Sequence, residues 1–194
     1  IVKDLAECYH LNKDYANAIK YYDEVLASNP DNYDVKYNKA VILHSLNRYN
    51  DAIAMYNELL KVKDNDALQA NLTSAYIAQG DEYLKSHNYS LATEMFEKAI
   101  ERNTSESYAY FGLAQAYRAC DVNDKATEMF EKAIAMSPDR AEYSQEFAEF
   151  ISDTSKAEVK ISDTSTGITE VFLTMDSAED DARANKDLIL TGDE

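Results

Sequence analysis

Apolar residues in this chain recur at helical spacing, and they do so in four matching registers. Ala18, Ala52, Ala92 and Ala126 are each followed four places on by an aromatic residue, Tyr22, Tyr56, Phe96 and Phe130. Three places further come Val25, Leu59, Ala99 and Ala133. Offsets of four and seven put all three residues on one helix face. A second stripe precedes each of these: Ala6, Ala40, Gly80 and Ala114, with Tyr9, Leu43, Tyr83 and Tyr117 three residues later. The small residue lets a partner helix approach closely, and the large one fills the space beside it. Polar breaks at 12–14, 47–48, 87–88 and 121–123 divide the two stripes of each pair. Clusters of Asn, Asp, Ser and Pro at 28–31, 64–66, 103–105 and 137–139 close each pair, with the chemistry of helix stops and N-caps. The pattern predicts an all-α chain of four antiparallel helix pairs.

The registers repeat every 34 residues, and the nonapeptide from Ala92 to Ile100 recurs letter for letter from Ala126 to Ile134. Such a period marks stacked copies of one small unit, which together present an extended concave face. The unit boundaries fall at about 1–32, 33–66, 67–106 and 107–138. One spacing departs from the rule, since Ala52 and Ala92 are 40 residues apart. The six extra residues, Ala67 to Leu72, lack Gly and Pro, and Leu68 and Leu72 continue the apolar stripe. They read as a helix lengthened by about 9 Å rather than as a loop. Two uses stay open: a rim that shapes the groove, or a tolerated extension.

Beyond Pro138 the stripe resumes with Phe147, Ala148 and Ile151, backed by Glu142, Gln145, Glu146 and Glu149. Residues 139–152 are therefore expected to form a capping helix, because an open stack must cover its last apolar face. The remaining 153–194 form an acidic tail with eleven acids against four bases and no tyrosine. Within it Val159–Ile161 and Ile168–Met175 lean towards β, and Ser177–Lys186 towards a short helix. A small add-on, a linker and disorder are all compatible with that composition.

Net charge is −17, which argues against nucleic acid and against anionic membrane surfaces. No apolar run approaches the roughly 18 residues of a membrane span, and no leader is visible. The chain starts at Ile1 rather than Met, so a fragment is expected, with a cytoplasmic setting. Cys8 and Cys120 are read as small buried side chains of a reducing compartment. Four glycines at unrelated places make no phosphate loop, and close helix packing accounts for Gly80 and Gly112. Cysteine and histidine spacings support no metal, and nothing pairs a nucleophile with a base. No cofactor and no enzymatic activity are expected. His10 and His44 lie 34 apart at one place on adjacent first helices, and read as polar groove residues rather than ligands.

The period, the small-x-x-large pairs and the trail Ala126, Phe130, Ala133, Pro138 resemble the tetratricopeptide repeat family over residues 1 to about 138. Two departures stand out. The usual first-helix aromatic is Val2 and Lys36 in the first two units, and Asp64 and Thr104 replace two of the four prolines. The resemblance implies a right-handed α-α superhelix of helix-turn-helix repeats whose first helices line a concave, peptide-binding groove. It implies a non-catalytic protein-interaction scaffold, or a regulatory or targeting module of a larger enzyme. Carried over position by position, the groove residues are Lys3, Glu7 and His10 in the first unit. Asp34, Tyr37, Val41 and His44 follow in the second, and Ser74, Ile77, Asp81 and Leu84 in the third. The fourth contributes Tyr108, Phe111, Gln115 and Arg118. Tyr37, Ile77, Tyr108 and Phe111 are expected to be exposed anchors, with Arg118 for an acidic group of the partner. Only Lys3 and Asn38 match the carboxylate clamp that one subfamily uses on a chaperone tail, while Glu7 would repel the carboxylate. Self-association through an unfinished terminal repeat is a further expectation.

Overall fold

In the computed structural model the backbone is described for residues 1–162 and side chains for residues 1–155. The described residues form nine α-helices and no strand: α1 (Val2–Leu11), α2 (Tyr15–Ser28), α3 (Tyr33–Ser45), α4 (Tyr49–Val62), α5 (Asp66–Lys85), α6 (Tyr89–Arg102), α7 (Ser107–Ala119), α8 (Asn123–Met136) and α9 (Ala141–Ser162). The chain divides after Phe147, and its first compact unit is Ile1–Phe147.

In the first unit each helix from α1 to α7 packs on the next in sequence, and the first helices α5 and α7 also touch directly. This is an α-α solenoid of helix pairs, and its core sits where the sequence stripes meet. Ala18, Ala52, Ala92 and Ala126 are fully buried, and so are Tyr22, Tyr56, Phe96 and Phe130. Burying each aromatic side chain contributes about 2–3 kcal/mol, so these four rings anchor the stack. Gly80 and Gly112 make room for one of them. A Cβ at Gly80 would lie 2.8 Å from the Phe96 ring, and one at Gly112 would lie 2.4 Å from it.

The small-x-x-large pair also sets the turn inside each helix pair. The backbone N–H of Asp14, Arg48, Asn88 and Val122 donates to the carbonyl of Tyr9, Leu43, Tyr83 and Tyr117, at 2.8–3.0 Å. The preceding residue, Lys13, Asn47, His87 or Asp121, takes φ near 58–59°. This is the Schellman closure of a helix end, made four times without glycine.

The extra residues 67–72 are helical, and α5 has 20 residues where α3 and α7 have 13. Two expectations are corrected. Cys8 and Cys120 are exposed. Ile42, 34 residues after Cys8, is fully buried, as is Ala116 at the same place on α7. No helix among the described residues covers that side of α1, which also leaves Ile1 and Leu5 open. Cys120 follows α7 as its C-cap, past the last buried position. In addition, α9 continues through Ser162, so residues 153–162, including the β-leaning Val159–Ile161, are helical. Thr154 illustrates the local bonding there, donating to the carbonyls of Phe150 and Ile151 at 3.1 and 3.0 Å. The segments expected at 168–175 and 177–186 lie outside the described residues. Within the described residues no helix is long and apolar enough to cross a membrane.

Candidate functional site

Consecutive first helices are tied across their shared face by polar side chains that the helical stripes place opposite one another. Lys3 on α1 meets Asp34 on α3 at 3.7 Å. Asn71 on α5 donates to the Tyr37 hydroxyl on α3 at 2.7 Å. Tyr108 on α7 donates to the Asp81 carboxylate on α5 at 3.3 and 3.4 Å. Gln115 on α7 donates to both Glu146 oxygens on α9 at 3.0 Å, and Arg118 approaches the same carboxylate at 3.5 Å.

Two clefts open along this seam. One, of about 400 Å³, is lined by Lys3, Glu7, Tyr33, Asp34, Tyr37, Asn38 and Asn65. The other, of about 340 Å³, is lined by Ala70, Thr73, Ser74, Ile77, Asn103, Glu106, Tyr108 and Arg140. Lys3, Glu7 and Tyr37 thus meet in the first cleft, and Ile77 and Tyr108 in the second. Asp81 sits beside the second through its bond to Tyr108.

The remaining expected groove residues are used in packing. Phe111 is only 6% exposed, which corrects its reading as an open anchor. Its ring stacks on Tyr143 at 4.4 Å and meets Phe130 edge-on at 5.9 Å. Arg118 is likewise engaged with Glu146, so its seat for an acidic group is filled within the chain. Val41 packs on the core around Tyr56, and Leu84 on that around Phe96. His10 lies edge-on to Tyr15 and Tyr22, and its Nδ1 is 3.4 Å from the Tyr22 hydroxyl. His44 lies edge-on to Tyr49. Burial lowers the pKa of both imidazoles, and for His10 Glu7 opposes that shift. Neutral rings against tyrosines are packing elements. Among the described residues no three His, Cys, Asp or Glu side chains converge on a metal-sized site.

The seam's chemistry is hydrogen bonding. Burial pushes the Tyr108 hydroxyl up to about 12, with the Asp81 charge adding to the shift, so it stays protonated and donates. Burial likewise raises the Asp81 carboxyl, against the lowering effects of the Tyr108 bond and of Lys85. Sequence reasoning missed Asn65, Asn71, Asn103, Glu106 and Arg140. Asn65 is the α5 N-cap, accepting from the Leu68 N–H at 2.9 Å. The two residues at 103 and 106 precede α7, off any helical stripe.

Family models for the tetratricopeptide repeat match residues 9–76 and 77–141. The chain belongs to the tetratricopeptide repeat family. It is similar to the TPR repeat-containing protein MJ1428 of Methanocaldococcus jannaschii, 33% identical over 107 residues, which are 55% of this chain and 18% of that protein. Among solved structures it is similar to MamA, at 22% identity and a TM-score of 0.57, over 77% of this chain and 84% of that one. YrrB, a TPR protein with an unusual peptide-binding site, shares the fold at 17% identity and a TM-score of 0.50, over 84% of this chain and 86% of that one.

Proposed function

We propose that this tetratricopeptide array is a non-catalytic scaffold that binds a segment of a partner protein, extended or helical, along the face of α1, α3, α5 and α7. One observation carries the reading: both clefts open between first helices, each with partly exposed apolar or aromatic side chains among hydrogen-bonding groups. Tyr37 and Asn38 serve the first cleft, and Ile77, Tyr108 and Asn103 the second. Partly exposed aromatic anchors in a concave polar frame are where binding energy concentrates. The seam holds neighbouring first helices in fixed relation, so the clefts are organised before a ligand arrives, which lowers the entropy cost of binding. The peptide-binding site of YrrB gives the same fold a precedent for this use.

The test is capture of partners by the full chain, by Tyr37→Ala with Ile77→Ser, and by Glu131→Ala on α8. The first-helix variant is expected to lose specific partners that the parent and the α8 variant retain. Equal capture by all three, with the variants folded by circular dichroism, would sink the proposal.

A further inference from the structure

The cleft between α1 and α3 carries more carboxylate than cation. Glu7 and Asp34 share a single ammonium, that of Lys3, at 3.6 and 3.7 Å. Both distances exceed the roughly 2.7–2.9 Å of a charge-assisted hydrogen bond, so Lys3 is a loosely held internal counterion. It is also 38% exposed. Arg118 faces the Glu146 carboxylate at 3.5 Å and Arg140 that of Glu142 at 3.4 Å, while Lys3 stands between two carboxylates. Two tyrosines complete the cleft, and α5 fixes both of them. Asn65 donates to the Tyr33 hydroxyl at 3.1 Å, and Asn71 to that of Tyr37 at 2.7 Å. Each hydroxyl accepts there and keeps its own proton to donate to a ligand carbonyl. Tyrosine rings also attract cations across their faces.

Two carboxylates, two held aromatic rings and a weakly paired ammonium compose a cation seat, and Lys3 marks the sign of charge it takes. We propose that the segment bound on the first-helix face is basic, and that one of its lysine or arginine side chains enters between α1 and α3, pairing with Glu7 and Asp34 in place of Lys3. The inference rests on the reading of that face as a binding groove and names the chemistry of its ligand. An acidic ligand gripped by Lys3 is the opposite arrangement, and the two differ in sign when Lys3 is removed.

Three synthetic peptides of equal length and equal apolar content, one lysine-rich, one glutamate-rich and one uncharged, decide the matter by fluorescence anisotropy with the full chain. The lysine-rich peptide is expected to bind, and Lys3→Ala to tighten it about fivefold, the scale of one partly exposed ion pair. Lys132→Ala makes the same charge change on α8, where Lys132 pairs with Glu128, and is the reference for non-specific attraction. Glu7→Gln with Asp34→Asn is expected to weaken the lysine-rich peptide by a similar factor. Weaker binding with Lys3→Ala, or a gain no larger than that of Lys132→Ala, overturns the proposal. Preference for the glutamate-rich or uncharged peptide, lost on Tyr37→Ala, overturns it while upholding the groove. No binding by any of the three also overturns it, and the capture experiment then judges the groove.

Discussion

Replacing Gly112 by alanine sets two effects of opposite sign against each other. Glycine in a helix interior is less favourable than alanine by about 1 kcal/mol, so in open space Gly112→Ala would stabilise α7 by that amount. The space is not open. The added Cβ would lie 2.4 Å from both Cε1 and Cζ of Phe96. Carbon atoms at rest sit about 3.5–4.0 Å apart, so the ring would have to withdraw by about 1 Å or more. Phe96 is fully buried, and on α5 Gly80 already offers only 2.8 Å to a Cβ, so the ring is held from both helices. Overpacking of this kind costs about 1–3 kcal/mol, and a ring held on two sides belongs in the upper part of that range. The expected net result is a loss of about 1–2 kcal/mol, with Gly80→Ala less harmful.

Urea unfolding followed by far-ultraviolet circular dichroism and by tyrosine fluorescence measures the effect. Both probes are needed because repeat arrays can unfold in parts. Phe96→Leu supplies the second arm of a double-mutant cycle by removing the obstructing ring tip. In that background Gly112→Ala is expected to be neutral or stabilising. A stabilisation of about 1 kcal/mol by Gly112→Ala alone, with no coupling to Phe96→Leu, would refute the wedge and leave helix propensity as the whole effect.

Phe111→Ala is expected to cost about 3–5 kcal/mol, as for a buried aromatic, whereas Tyr37→Ala costs about 1–2 kcal/mol and acts mainly on binding; urea midpoints and peptide titration separate the two. Asp81→Asn is expected to stabilise the fold at neutral pH while keeping an oxygen for the Tyr108 hydroxyl. The folded carboxyl pKa is raised, chiefly by burial. Its ionisation therefore costs stability as pH rises through the folded value, and the advantage of asparagine vanishes near and below about pH 4. Urea midpoints at acid and neutral pH give the comparison, and an equal difference at both would contradict the shift. Both thiols, Cys8 and Cys120, are expected to react with a disulfide reagent in the native chain, and a thiol that reacts only after unfolding would contradict its exposure.

The helix pairs were legible because their signal is local. A small residue, an aromatic four later and a small or apolar residue three after that define a face whatever lies elsewhere in the chain, and the anchoring alanines and aromatics on it are buried. Exposure at the site was less legible because it depends on the next unit. Tyr37 and Phe111 hold the same register position, yet Tyr37 lines a cleft while Phe111 lies under Tyr143. Periodicity assigns a residue to a face and is silent about what the following helix lays over it. Arg118 repeats the lesson with charge, since its partner Glu146 stands 28 residues away on α9. The same dependence, on the preceding side, opened Cys8. Propensity misled in one place, where Val159 and Ile161 suggested a strand: β preference in a short segment is weak against the continuation of an existing helix.

The break in the 34-residue period is what distinguishes the two clefts from each other. A first helix of 13 residues ending at Lys85, as long as α3 or α7, would begin at Thr73 and place neither Asn65 nor Asn71 beside α3. The lengthened α5 instead reaches back to the Tyr33 and Tyr37 hydroxyls, while Ala70, Thr73 and Ser74 line the cleft on its other side. Two of the six added residues thus reach the clefts, Asn71 through Tyr37 and Ala70 in the lining of the other, and on the proposed reading the extension serves as a rim of the groove. The outer helices need no such variety. Their identical stretches 92–100 and 126–134 serve one packing task twice, placing Phe96 and Phe130 in the core. If the first-helix face binds a ligand as proposed, its selectivity resides where the units differ: in the lengthened α5, and in the uneven charges of Lys3, Glu7 and Asp34 against Asp81 and Glu106.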